Sequence, residues 1–182
     1  MKEMRVLMQI VKSISGIVAI VTLISGVLVL IERILYNSLG TGLIAEYGSV
    51  KIYGLLGSES YSAENVKKMM IGLAFFCFLE AVAAFAVKVC LGKVLEDAII
   101  FTMENVKITR NVGIFIIVVF AVFRMILSAI AIYNRLNVNY EYVEMFMKKI
   151  YSISTVSLVT GIVFILLSVF LKAGYEARSM KI

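Results

Sequence analysis

The sequence predicts an all-α membrane protein, a bundle of four transmembrane helices. Hydrophobic residues make up 62% of the 182 residues, well above the roughly 45–50% of a soluble domain. Four apolar stretches are each long enough to cross a hydrocarbon core of about 30 Å at about 1.5 Å per residue. They cover 13–36, 69–91, 111–133 and 150–172. Little of the chain remains for a soluble domain, so we predict a single integral membrane domain in a lipid bilayer.

The residue types and motifs that the sequence lacks exclude several kinds of catalysis and metal binding. The chain has no histidine, which removes the usual general base near neutral pH and the commonest transition-metal ligand. Cys77 and Cys90 are not spaced like a redox pair or a metal knuckle, so we interpret both as buried apolar side chains. No glycine-rich phosphate loop or activated nucleophile occurs. We therefore predict a protein that is not an enzyme, with no catalytic residues, no metal and no cofactor.

The first span follows a short basic lead that contains Arg5 and Lys12. Its apolar run continues to Ile31, beyond the 7–15 residues of a signal-peptide core, so we expect it to be retained as a helix. Small residues repeat along this helix at Ser15, Ala19, Thr22 and Gly26. A small-residue face lets a neighbouring helix approach closely, so this face should point into the bundle.

The outer connections and the helix starts also carry patterns. Residues 44–53 alternate around Gly48-Ser49 and predict a small β-hairpin in the first outer loop. The second outer connection, 134–149, fits either a third strand or a helical extension of the fourth span. Ser62 and Thr102 are placed to cap the second and third helices, each with a glutamate two positions later, where the helix dipole favours negative charge.

The distribution of basic residues predicts the orientation. With four spans, both termini and the loop 92–110 lie on one side, which holds nine basic residues against six on the other. The nine are Lys2, Arg5, Lys12, Lys93, Lys107, Arg110, Lys172, Arg178 and Lys181, and the six are Lys51, Lys67, Lys68, Arg135, Lys148 and Lys149. The positive-inside rule therefore favours cytoplasmic termini. No basic cluster is dense enough to follow a phosphate backbone, so we predict no direct nucleic-acid binding.

Two charges fall near the middle of a span, Glu80 in the second and Arg124 in the third. A charge at membrane depth costs roughly 2.5–3.5 kcal/mol on insertion scales, so it requires a partner or a task. The predicted span ends place the two at depths that differ by about 3 Å, and each shares a helix face with small residues. We predict an ion pair between these helices, either a proton or ion site or a structural pair that sets helix register.

The further polar groups that could extend a transport path are hydroxyls of the fourth span. They are Ser154, Ser157, Thr160 and Ser168. Such hydroxyls usually bond across to a neighbouring helix or back to a carbonyl of their own helix.

Two segments carry a resemblance to a known family. Leu91–Phe101 with the F-T-x-E-N-V-K element that ends at Lys107, and the closing segment Leu171–Arg178, resemble an uncharacterised bacterial membrane family, domain of unknown function 2975. The resemblance implies four helices in a bacterial plasma membrane and no established activity. Its members are often encoded beside a small Cro-like helix-turn-helix regulator, which implies a cytoplasmic partner.

Two functional hypotheses follow. The first is a non-enzymatic regulatory or immunity-type membrane protein that binds such a regulator through loop 92–110 and the tail after Lys172. The residues of that loop expected to contact the partner are Lys93, Glu96, Asp97 and Arg110. The alternative is a small transporter or proton-coupled carrier, working as a homo-oligomer, that uses the Glu80–Arg124 pair.

Overall fold

The computed structural model describes residues 2–39, 63–97, 99–137 and 140–180, which form four long helices. They are α1 (Lys2–Leu39), α2 (Ala63–Glu96), α3 (Met103–Asn137) and α4 (Tyr140–Ser179). Each contains a segment long and apolar enough to cross a membrane: Glu3–Ile31, Met70–Glu96, Met103–Ala129 and Ser154–Ser179. The predicted fold class, an all-α bundle of four transmembrane helices, is confirmed.

The helices extend beyond the predicted spans, and this corrects the prediction of a loop over 92–110. Helix α2 continues to Glu96 and α3 begins at Met103, so the connection between them is only 97–102. Hydropathy marks where a helix leaves the apolar layer, whereas backbone hydrogen bonding continues through its polar turns. Helix α4 begins at Tyr140, which agrees with the helical alternative for 134–149. The β-hairpin predicted at 44–53 lies outside the described residues.

Thr102 caps α3 as predicted. The backbone N–H of Asn105 donates to the Thr102 hydroxyl oxygen at 3.2 Å, and the N–H of Val106 donates to the Thr102 carbonyl at 3.1 Å. These bonds satisfy donors that a helix start otherwise leaves unpaired. Ser62, the other predicted cap, lies outside the described residues.

The bundle consists of two helical hairpins, α1 with α2 and α3 with α4, joined along α2 and α3. Aromatic rings form much of this junction, where the ring centroid of Phe76 lies 5.5 Å from that of Phe123 and 6.3 Å from that of Phe120. Within the described parts of the helices, α1 packs along α2, and no comparable backbone contact joins it to α3 or α4. Helix α1 is therefore peripheral.

The small-residue face of α1 was predicted to point into the bundle. In the structure it packs against α2. Ala19 is buried, and a Cβ added at Gly26 would lie 3.0 Å from the Phe78 ring. Thr22 bonds to its own helix by donating to the Val18 carbonyl at 2.7 Å. The α1–α2 contact thus depends on small side chains that admit larger ones from α2.

Helices α3 and α4 approach each other closely at Gly113 and Gly161. A Cβ at Gly113 would lie 2.8 Å from the Gly161 carbonyl oxygen, and a Cβ at Gly161 would lie 3.0 Å from the Gly113 carbonyl oxygen. Backbone cannot move aside as a flexible side chain can. Glycine is therefore required here for the two helices to pack at this distance.

We expect Gly161→Ala to lower the thermal unfolding midpoint of the protein in lipid nanodiscs. The added methyl group meets backbone, and overpacking of this kind costs about 1–3 kcal/mol. Gly92→Ala is the matched control, because a Cβ there would meet only the flexible end of Lys12, at 3.5 Å. An equal midpoint for the two variants would show that the glycine contact is not tight.

Candidate functional site

Arg124 is bound to the first half of α4. Its Nε donates to the Ser154 hydroxyl at 2.8 Å, and its Nη2 donates to the Tyr151 backbone carbonyl at 2.6 Å. Nη2 also donates to the Thr155 hydroxyl, and the guanidinium carbon lies 5.3 Å from the centroid of the Tyr151 ring. The guanidinium is always charged in proteins, and these acceptors and the ring face replace the water that it has lost.

The bonding between α3 and α4 is reciprocal. The Tyr151 hydroxyl donates to the Arg124 backbone carbonyl at 3.1 Å and also contacts the Ser128 hydroxyl. Arg124 therefore reaches the backbone of Tyr151 while Tyr151 reaches the backbone of Arg124. This double contact sets the register of α4 against α3.

Glu80 is bound to the same helix, about one turn further along. The Ser157 hydroxyl donates to the Glu80 carboxylate oxygen Oε1. Ser154 and Ser157 lie three positions apart on one face of α4, and both are buried. Because α4 runs beside both α2 and α3, this face supplies a partner to each intramembrane charge.

The predicted Glu80–Arg124 ion pair is not formed, and this is a correction. Among the described residues, no lysine or arginine nitrogen lies within 4.0 Å of the Glu80 carboxylate. Each charge bonds instead to a hydroxyl of α4, Arg124 to Ser154 and Glu80 to Ser157, and these two serines lie about one helical turn apart.

The hydroxyls of α4 behave as expected, in two groups. Ser154 and Ser157 bond to charges on neighbouring helices. Thr160 donates to the Val156 carbonyl at 2.9 Å, and Ser168 donates to the Ile165 carbonyl at 2.7 Å, both within α4. The three-residue spacing of Ser154 and Ser157 was the sequence signal for their role, but it is also an ordinary packing pattern.

Glu80 lines a cavity of about 380 Å³ between α1, α2 and α4. We call it the Glu80 cavity. Its polar lining groups are Glu80, Ser15, Ser157 and Thr160, and the other lining residues are apolar. Ser15 thus faces the cavity, although it was predicted as part of the small-residue packing face.

The turn between α2 and α3 is held by Asn105. Its side-chain Nδ2 donates to the Asp97 carboxylate oxygen Oδ2 at 2.8 Å and to the Ile100 carbonyl at 3.1 Å. From α1, the Arg5 guanidinium donates to the Asp97 backbone carbonyl at 2.7 Å. Asn105 is 1% exposed, so this cluster, the Asn105 clamp, is a buried part of the fold.

The four predicted docking residues have two different environments. Lys93, Glu96 and Arg110 are exposed, whereas Asp97 is partly buried and its carboxylate is bound to Asn105. Asp97 therefore holds the turn, a role that the sequence reasoning missed because it treated 92–110 as one loop. The role of Asn105 was not predicted either, because in the sequence it is only a residue of the first turn of α3.

The last turns of α4 pack at the same end of the bundle. The Phe101 ring covers Gly174 in direct contact, and its centroid lies 6.4 Å from that of Phe170. The start of α1, the connection 97–102 and the last turns of α4 therefore share one end of the bundle.

The two cysteines lie in different environments. Cys90 is buried, as predicted, with its Sγ 3.8 Å from the Thr109 hydroxyl oxygen, and Cys77 is only partly buried. In the part of the chain that the structure describes, no three Cys, Asp or Glu residues come together as a metal site would require.

Comparisons of the chain with protein-family models, with curated proteins and with solved structures each returned no match. The resemblance to the family of unknown function, and the regulator that it implies, therefore stay predictions.

We expect Ser154→Ala to destabilise the protein by about 1–2 kcal/mol, because it removes the acceptor of a charged donor inside the bundle. Ser168→Ala is the matched control: Ser168 is also buried in α4, but it bonds only to its own helix. The measurement is the free energy of unfolding in mixed micelles. Equal losses in the two variants would contradict the role of Ser154 at Arg124.

Asn105→Ala should destabilise the turn by about 1–3 kcal/mol, since it removes the amide that donates to the Asp97 carboxylate and leaves the Ile100 carbonyl with only the Thr102 N–H as its donor. Asn111→Ala provides the control, because Asn111 is an exposed asparagine of the same helix. Thermal unfolding and protease cleavage within 97–102 report the effect. If Asn105→Ala is cleaved no faster than Asn111→Ala, the clamp does not hold the turn.

Proposed function

We propose that the protein is a non-enzymatic regulatory protein of a bacterial plasma membrane that binds a cytoplasmic helix-turn-helix regulator at the end of the bundle containing the α2–α3 turn. The supporting observation is a set of exposed charges on the two helices that this turn joins, next to side-chain hydrogen bonds that hold the turn. We call Lys93, Glu96 and Arg110 the charged corner. These three side chains are exposed, and the adjacent turn is held by the Asn105 clamp.

The hydrogen bonds that hold the turn favour this surface as a binding site. A partner that docks on a flexible loop must order it, which costs binding free energy, whereas a surface that is already ordered avoids that cost. The bonds of Asn105 to Asp97 and Ile100, and of Arg5 to Asp97, order the turn before any partner arrives.

The charges of the corner suit protein recognition. Lys93 and Arg110 are basic and Glu96 is acidic, so the surface has both signs. Mixed charges on a surface select a complementary partner and increase its association rate. A partner held at the membrane is removed from the cytoplasm by mass action, which is how binding here would regulate a transcription factor.

The orientation has its own support. The positive-inside rule assigns the side with nine basic residues to the cytoplasm. Contacts of Arg5 with Asp97 and of Phe101 with Gly174 bring the start of α1 and the end of α4 beside the charged corner. The carrier alternative was built on the Glu80–Arg124 pair, whose two charges are bound separately, so we do not propose it.

The test is co-purification with a small helix-turn-helix regulator of the kind that the resemblance implies beside the gene, tagged and expressed with the full-length protein. We expect Lys93→Glu with Arg110→Glu to reduce capture at least about 10-fold, equivalent to about 1.4 kcal/mol, because two attractive contacts become repulsive.

The control reverses two charges on the predicted outer side, Lys51→Glu with Lys67→Glu, and should leave capture unchanged. Both double variants must keep the thermal unfolding midpoint of the unmodified protein. Undiminished capture by the Lys93/Arg110 variant would refute the docking surface, and an equal loss in the control would refute the assigned side.

A further inference from the structure

The Glu80 carboxylate lies inside the bundle, and the described structure leaves its bonding incomplete. Ser157 donates to Oε1, but within the described residues no group bonds to the second oxygen, Oε2. An ionisable group at membrane depth is costly and marks a functional site unless a partner satisfies it. Arg124 is not that partner, and neither is Lys88, whose side chain lies against Gly16 of α1.

The cavity beside this carboxylate has the form of a small-molecule site. Its volume of about 380 Å³ falls within the roughly 300–1,000 Å³ of known ligand pockets, which are mostly apolar with a few polar groups that orient the ligand. Val87, Ile116 and Phe164 contribute apolar surface around Glu80. A ligand for this space needs an apolar body and one polar group.

The polar groups that line the cavity favour a ligand that donates hydrogen bonds. The Ser157 and Thr160 hydroxyl hydrogens are already used, on Glu80 and on the Val156 carbonyl, so these two oxygens and Oε2 offer lone pairs to the cavity. Ser15 can donate or accept. A surface of acceptors that includes a carboxylate attracts an ammonium group, and the attraction is much stronger in apolar surroundings than in water.

The cavity opens toward lipid. Helix α1 packs along α2 and makes no comparable backbone contact with α4, so a gap separates α1 from α4 in the described parts of both helices. The lining residues at this gap are exposed, Ile14 by 54% and Val156 by 66%. In a membrane these side chains face hydrocarbon, and a ligand can enter from the bilayer.

We propose that the Glu80 cavity binds an amphiphilic cation, a molecule with one protonated amine and an apolar body, which enters from the bilayer between α1 and α4 and pairs its ammonium group with Glu80. This site is independent of the charged corner, so either proposal can fail without the other.

The test uses the full-length protein in phosphatidylcholine nanodiscs with a long-chain primary amine that carries a diazirine for photolabelling. The matched probe is the long-chain alcohol with the same diazirine. We expect the amine to label residues of the cavity and to be displaced by unlabelled dodecylamine. The alcohol should label all four helices evenly, as a lipid-dissolved molecule does.

Two variants and a control complete the test. Glu80→Gln keeps the shape and removes the charge, and Ala84→Phe keeps the charge and fills the cavity, where Ala84 is a lining residue. Each should reduce displaceable labelling at least about 10-fold, equivalent to about 1.4 kcal/mol of binding. Glu104→Gln, an exposed carboxylate at the start of α3, should leave it unchanged.

Several results would overturn the proposal. One is undiminished labelling in Glu80→Gln at an unchanged unfolding midpoint. Another is labelling of the cavity by the alcohol as strongly as by the amine, which would indicate a crevice for lipid chains or a Glu80 that carries a proton. If Ala84→Phe does not fold, Glu80→Gln and the two probes still decide the question.

Discussion

The bundle is organised by one constraint: a polar group surrounded by hydrocarbon must bond to another polar group. Water is absent, so each charge must find its partner on a neighbouring helix. Ser154 supplies one of the acceptors of Arg124, and Ser157 supplies the one hydrogen bond that Glu80 has within the described residues. Two buried hydroxyls on one face of α4 thereby connect α2, α3 and α4. Since bonds to charges are directional, they determine depth and rotation, which apolar contacts between smooth helices leave loosely defined.

Two kinds of interaction hold α3 against α4, close backbone packing in one part of the contact and polar bonding in another. Near the turn between α2 and α3, Gly113 and Gly161 let the backbones touch. Toward the other end of α3, Arg124 and Tyr151 each bond to the other's backbone. Helix α1 has neither device toward α4 and rests on α2 through small residues. This difference in anchoring leaves space for the Glu80 cavity, because the helix that would close it is attached on one side only.

The two proposals use regions with opposite physical character. The charged corner lies at the water-exposed end of the bundle, where attraction between exposed charges is weak and specificity comes from arrangement on an ordered turn. The Glu80 cavity lies where one charge has a strong effect because the surroundings are apolar. Asn105 orders the first region, and the attachment of Ser157 to Glu80 orders the second.

The sequence by itself determined the four helices, the membrane class, the Thr102 cap and several small-residue contacts, because hydropathy, capping and residue size act within one helix or one turn. Only the tertiary structure decided which groups meet. Glu80 and Arg124 each bond to a hydroxyl on α4 and not to each other, because α4 packs beside both α2 and α3. Asp97 became part of a clamp, because Asn105 and Arg5 converge on it from different helices. Such pairings depend on the positions of several helices at once, which no local pattern in a single chain specifies.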